Sequence, residues 1–257
     1  MRYLSRFDDG EVARWAFRGL LLGAIGVLAL DLADLSEKNG WFAPEASIPA
    51  ADQTILPPAV VTDTPEQVNN PIPFLTADEE MLRLPMSFTL GTGGVLKAEG
   101  SIDPGSALRF AAEIETRGEY VKTISLNSPG GALDEAIAMA RLTRKLGIST
   151  EVVDGALCAS SCPLFFAGGK ERLAGEKAAV GVHQFYAATT NSSGPEQAMS
   201  DAQSTTARIS RHLAEMEVDP AMWLHALDTP PRSLYYFSPK EMVEYRLVTS
   251  PLIGAAQ

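Results

Sequence analysis

The sequence predicts an α/β domain over residues 81–257, built on a parallel sheet and preceded by a membrane-anchoring helix and a linker. Three observations carry this. Strand-like and helix-like runs alternate from about residue 84 onward, the pattern of βαβ units. Glycines and serines recur where a strand gives way to a helix. A Pro/Ala-rich stretch without a sustained period lies immediately before.

The N-terminal segment comes first. Arg2, Arg6, Arg14 and Arg18 precede the apolar run GLLLGAIGVLAL, residues 19–30, and Asp31, Asp34 and Glu37 follow it. Basic residues before an apolar stretch and acidic ones after fit insertion with the N-terminus inside. The run is 12 residues long, nearer a signal-peptide core than a full span. Trp15 to Leu35 could cross with Arg18 snorkelling, and no small-residue cleavage site follows at once. The expectation is therefore an uncleaved signal anchor over residues 1–35, a single-pass transmembrane helix. A cleaved signal and a buried soluble helix are the alternatives. Residues 36–80, with FAPEASIPAADQTILPPAVVTDTPEQVNNPIP, read as an extended or disordered linker. Export would place the remainder in an oxidising compartment.

In the domain, MSFTLGTGGVLKAEGSI reads as two strands around a Gly turn. Asp103-Pro-Gly-Ser opens a helix with Phe110, Ala111 and Ile114 on one face and Gly118 at its end. YVKTISL, residues 120–126, is a strand, NSPGG a turn, and ALDEAIAMARLTRKLG a helix stopped by Gly147. STEVVDG is the next strand, and CASSC links it to the apolar helix PLFF. ERLAGEKAAVGVHQF reads as a turn and a buried strand. Residues 195–216 form a long polar helix, and SPKEMVEYRLV a shorter one.

Two turns can carry chemistry. The glycines of NSPGG let backbone N–H groups face a crevice where they could hold an anionic oxygen, although a tight strand-to-helix turn needs no further role. A serine in CASSC sits at a strand-to-helix elbow, as a nucleophile or as a helix N-cap. A serine nucleophile needs a base. Of His183, His212 and His225, only His183 ends an apolar strand, on the side where strand ends meet a sheet's crevice. His212 falls on the polar face of the long helix, expected solvated, and His225 is expected to pack.

Taken in order, AEGSIDPGSA, ISLNSPGGALDEAIAM, CASSCPLFFAGGKER, VGVHQF and SPKEMVEYRLVTS resemble the proteolytic subunit of the Clp proteases, within the ClpP/crotonase fold. The resemblance spans about residues 88–255. The N-terminal anchor and the Cys-flanked elbow look more like exported, membrane-associated bacterial relatives, with the domain in the periplasm. By this resemblance Ser160 is the nucleophile, His183 the general base, and the N–H groups of Gly131 and Ser161 the oxyanion hole. The doubled serine leaves Ser161 as the alternative nucleophile. The family's acidic third residue corresponds to Thr249, which brings no charge, and Arg246 stands where a glycine is usual. A Ser–His dyad with weak or specialised hydrolysis, a carboxylate supplied from elsewhere in the chain, or a catalytically silent scaffold that binds peptides or partners is then expected. An acyl-CoA enzyme of the crotonase branch is the other rival, opposed by the export signal.

Cys158 and Cys162 are the only cysteines. A disulfide across the elbow, two buried thiols, a metal site and a cysteine nucleophile are the readings. Two cysteines and one histidine fall short of four good ligands, so no metal is expected, and acyl transfer to serine needs no cofactor. The partners expected are a peptide or protein substrate and the membrane, with a homo-oligomer through the long helix as the family implies. The formal net charge of −11 argues against nucleic acid, and no G-x-x-x-x-G-K-S/T motif for nucleotide hydrolysis occurs.

Overall fold

The computed structural model describes residues 9–39, 75–76, 78–185 and 194–250. The chain divides into two units, residues 1–50 and 51–257. The first contains helix α1, Asp9–Asn39. Its described side chains, residues 14–31, are all exposed, Trp15, Phe17, Leu20, Leu22 and Leu28 among them. Among the described residues no helix is long and apolar enough to cross a membrane. Most of the expected linker, residues 40–74 and 77, lies outside the described residues.

The second unit is a mixed α/β structure. In chain order it runs α2 (Glu79–Arg83), β1 (Ser87–Leu90), β2 (Val95–Glu99), α3 (Ser106–Arg117), β3 (Thr123–Asn127), α4 (Leu133–Leu146), β4 (Ser149–Val152) and β5 (Leu157–Ala159). Then follow α5 (Cys162–Phe166), β6 (Arg172–Ala174), β7 (Ala179–Val182), α6 (Pro195–Glu215), α7 (Met222–Asp228), β8 (Tyr235–Tyr236) and α8 (Pro239–Glu244). Two sheets form. One has five strands in the order β1-β2-β3-β4-β6, the other three in the order β5-β7-β8. β1 is antiparallel to β2, the β2-β3-β4-β6 pairs are parallel, β5 is parallel to β7, and β8 is antiparallel to β7.

The alternation of buried and half-exposed residues in β3 and β4 buries Ile124, Leu126, Thr150 and Val152 and turns their neighbours outward. Helices α3, α4 and α5 supply the opposing layer, with Phe110, Met139, Phe165 and Phe166 fully buried. Phe110 stacks edge-on against Phe165 with ring centroids 5.5 Å apart. Helix α4 carries Asp134 and Glu135 in its first turn and Arg144 and Lys145 in its last, matching its dipole. Glu135 also accepts the Ala107 N–H at 2.7 Å, serving the start of α3, which has no side-chain cap of its own.

Two sequence expectations change. The strand that leads into CASSC is not STEVV. That segment is β4 of the larger sheet, and a separate buried strand, β5, turns away from it into the smaller one. The segment ERLAGEKAAVGVHQF yields two strands rather than one, β6 and β7, and they lie in different sheets. The chain changes sheets at Gly155, whose N–H donates to Lys177 O while Gly175 N–H donates to Val152 O. These crossings bring β3, β5 and β7 together at the candidate site.

Candidate active site

β5 ends at Ala159 and α5 begins at Cys162, so Ser160 and Ser161 form the connecting elbow. Ser160 adopts φ +61°, a left-handed conformation that costs a non-glycine residue about 1–2 kcal/mol. Its N–H donates to Gly181 O of β7 at 3.0 Å, which holds it there. The two serines differ sharply. Ser161 is buried, and its hydroxyl donates to Gly131 O at 3.1 Å. Ser160 is partly exposed, and its hydroxyl makes no hydrogen bond among the described residues. The cysteines on either side form a disulfide, Cys158–Cys162, with Cα atoms 5.1 Å apart and both residues buried.

The NSPGG turn is stitched onto this elbow. Asn127 Oδ1 accepts the Leu157 N–H at 3.1 Å, Ser128 N–H donates to Leu157 O at 2.7 Å, and Ala159 N–H donates to Ser128 O at 3.0 Å. The buried Ser128 hydroxyl accepts the Gly130 N–H at 3.1 Å. Gly130 and Gly131 have φ +95° and +142°, a region glycine alone enters easily. Their lack of a side chain also permits contact. A Cβ on Gly130 would lie 2.5 Å from Ala159 O and 2.6 Å from Ser160 Cβ, and one on Gly131 would lie 2.2 Å from Ile102 O. The N–H groups of Gly131 and Ser161 donate to no acceptor among the described residues. Gly131 is tied to the elbow through the Ser161 hydroxyl, so two backbone donors without an acceptor among the described residues belong to the same turn-and-elbow unit as the partly exposed Ser160.

His183 lies one residue beyond β7. In the parallel register Ala159 pairs with Gly181 and the Ser160 N–H donates to Gly181 O, so the elbow and His183, two residues beyond Gly181, lie at the same end of the β5–β7 pair. The ring is buried, and its Nδ1 has no hydrogen-bond partner. Burial pushes its pKa below 6.5, and a backbone hydrogen bond with Pro231 opposes that shift. The imidazole is therefore neutral at pH 7 and able to accept a proton.

Thr249 is not brought to His183. Its hydroxyl accepts the Arg172 N–H at 2.8 Å and its N–H donates to Arg172 O at 3.0 Å, pairing the C-terminal segment with β6 at the edge of the larger sheet. Thr249 is thus occupied in extending that sheet. Arg246 turns the chain with φ +54° without a glycine. The Arg172 guanidinium, buried in the protein, donates to the carbonyls of Leu247, Gly169, Met216 and Arg246. His212 is buried rather than solvated, with Nε2 3.0 Å from Leu164 O, because the C-terminal half of α6 packs on α5. His225 packs as expected, stacked on Tyr235 with centroids 4.1 Å apart and bonded to the Tyr245 hydroxyl at 2.8 Å.

Sequence reasoning missed Asn127 and Ser128 as the residues that join turn to elbow. Their place in NSPGG, directly before the glycines, was the available signal. No protein-family model matches this chain, and no curated protein matches it significantly.

Proposed function

We propose that the protein is a serine hydrolase of the ClpP/crotonase type, acting on peptides through an acyl-enzyme, with Ser160 as nucleophile and His183 as general base. The observation that carries this reading is the strained, partly exposed Ser160 just after β5, with the N–H groups of Gly131 and Ser161 in the same elbow donating to no acceptor among the described residues and His183 just after the neighbouring strand β7. His183 would take the Ser160 proton as the hydroxyl oxygen attacks a carbonyl carbon. The N–H pair would hold the resulting oxyanion. The protonated imidazole would then donate to the leaving amine, and water would release the acyl group by the same steps. None of these steps calls on a cofactor.

The same reading includes attachment to the bacterial inner membrane, with the domain on the periplasmic side. It is supported by the exposed apolar run 19–30 in α1, with Arg14 and Arg18 before it and Asp31 after. The disulfide suits an oxidising compartment. A homo-oligomer built through α6 belongs to the reading by resemblance alone.

A catalytically silent, peptide-binding scaffold is the second reading, favoured by the lack, among the described residues, of a carboxylate bonded to His183. Reacting the full chain with a fluorophosphonate separates the two. The hydrolase reading expects labelling that Ser160→Ala and His183→Ala abolish and Ser161→Ala only weakens. Folded protein that never labels would leave the scaffold.

A further inference from the structure

We propose that the Cys158–Cys162 disulfide positions the nucleophile: this bond, rather than the hydrogen bonds of the elbow, keeps Ser160 in its left-handed conformation. The proposal rests on the reading of Ser160 as nucleophile. The two ends of the elbow are held differently. Cys158 lies in the middle of β5, in register with Val180 of β7 on one side and bridged to Ser128 on the other. Cys162 is the first residue of α5, a helix of five residues, too short to be stable alone. Ser161 stands at its N-cap position but does not cap it, because its hydroxyl is spent on Gly131 O. Burial of all five residues presses α5 onto the core, but that force is non-directional and leaves the turn before the helix undetermined. The strand end is fixed, and the helix end needs a tie.

Extended, four peptide steps would carry Cys162 about 13 Å from Cys158. The disulfide holds their Cα atoms 5.1 Å apart. The chain must therefore reverse between them, and Ala159 stays in β5. The reversal falls on the two serines. Ser161 has φ −82° and ψ −14°, already helical, so Ser160 completes the turn at φ +61°. Three hydrogen bonds also hold the elbow: Ala159 N–H to Ser128 O, Ser160 N–H to Gly181 O, and the Ser161 hydroxyl to Gly131 O. Each ties one point of the elbow to the Gly turn or to β7, and none joins its two ends. A net hydrogen bond returns no more than the left-handed conformation costs a non-glycine residue, so the Ser160 bond alone does not secure it. Both cysteines are fully buried, which makes the disulfide a permanent strut of the folded site.

The test compares the full chain with Cys158→Ala/Cys162→Ala and with Cys158→Val/Cys162→Ala, which refills part of the volume left by the sulfurs. Gly147→Ala is the control, destabilised outside the elbow. Fluorophosphonate labelling is followed at limiting and saturating probe, well below each melting temperature. Hydrogen exchange is read at two amides bonded to β7: Ser160, which donates to Gly181 O, and Phe237, which donates to Val180 O. Both cysteine variants should keep the wild-type circular dichroism and react about tenfold more slowly at saturating probe, because the strained conformer, once released, falls to roughly a tenth of the population. Their Ser160 amide should exchange about tenfold faster relative to that of Phe237. Gly147→Ala should match wild type in both readouts. Wild-type labelling with an unchanged exchange ratio in the cysteine variants would overturn the proposal. So would equal slowing in Gly147→Ala, which would reduce the disulfide to a contribution to global stability. Should neither cysteine variant fold, wild type refolded with its thiols reduced takes their place, and a labelling rate that does not rise on reoxidation would refute the role. Should wild type not label, the nucleophile reading fails separately, and the exchange ratio alone decides the disulfide's hold on the elbow.

Discussion

Replacing Gly130 by alanine tests how closely the Gly turn and the serine elbow depend on each other. Two costs arise. At φ +95° an L-residue is strained by about 1–2 kcal/mol. The new methyl would also stand 2.5 Å from Ala159 O, 2.6 Å from Ser160 Cβ and 2.9 Å from Ser161 N. Ordinary contact between such atoms is about 3.5 Å or more, so the elbow must shift by about 1 Å. Forcing that much into a packed site adds roughly 1–3 kcal/mol. The sum, about 2–5 kcal/mol, lowers the melting temperature by roughly 5–15 °C in a domain of this size. A 1 Å misplacement of reacting groups costs about 100-fold in rate. Gly147 is the matched control. It has φ +67°, but its nearest neighbour would be Lys170 Cδ at 3.9 Å, so Gly147→Ala meets the conformational cost alone. Thermal unfolding and fluorophosphonate labelling of both variants are the assays. If Gly130→Ala melts with Gly147→Ala and labels at the wild-type rate, the close approach of turn and elbow is wrong.

Arg172→Met leaves the carbonyls of Gly169, Met216, Arg246 and Leu247 without their donor; at about 1–3 kcal/mol for each unsatisfied group, a loss of at least ~3 kcal/mol is expected in denaturant titration, and an unchanged midpoint would contradict it. Replacing Cys158 and Cys162 together by alanine removes a five-residue closed loop, worth about 2 kcal/mol on the chain-entropy account; the wild-type chain should resist alkylation under denaturing conditions until it is reduced. Burial holds His183, His212 and His225 below 6.5 in the fold. On acidification the unfolded chain takes up these protons first, so stability is full above about pH 6.5 and falls as pH drops from there through the folded values. Labelling should likewise persist below pH 6.5, because the folded His183 is still neutral there, and an acid limb centred at or above 6.5 would refute its lowered pKa.

Much of this was legible in the sequence because it is local. The periods of the α3 and α4 segments, the αL glycine after Leu146, and the Gly pair after Ser-Pro each have a physical signature that needs no tertiary context. The division into two sheets did not. β4 and β5 are separated by four residues; the Asp154-Gly155 pair marks a turn between them, but nothing in STEVVDGALCA says that the second strand joins another sheet. His212 was misjudged because helical periodicity places a residue on a face without saying which face α5 will cover. Thr249 was placed by analogy with a motif, and its hydroxyl is instead held by β6, a strand too short to be seen from composition. The choice between Ser160 and Ser161 also required the structure, since the backbone conformation and exposure of Ser160 and the bond from Ser161 to Gly131 O distinguish two identical neighbours.

The most direct measurement is peptide mapping of the full chain after reaction with a fluorophosphonate. A single adduct on Ser160, absent from His183→Ala, is the result that the elbow and its neighbouring histidine predict. An adduct on Ser161, or on Ser160 at an equal rate in His183→Ala, would contradict the assignment of nucleophile and base.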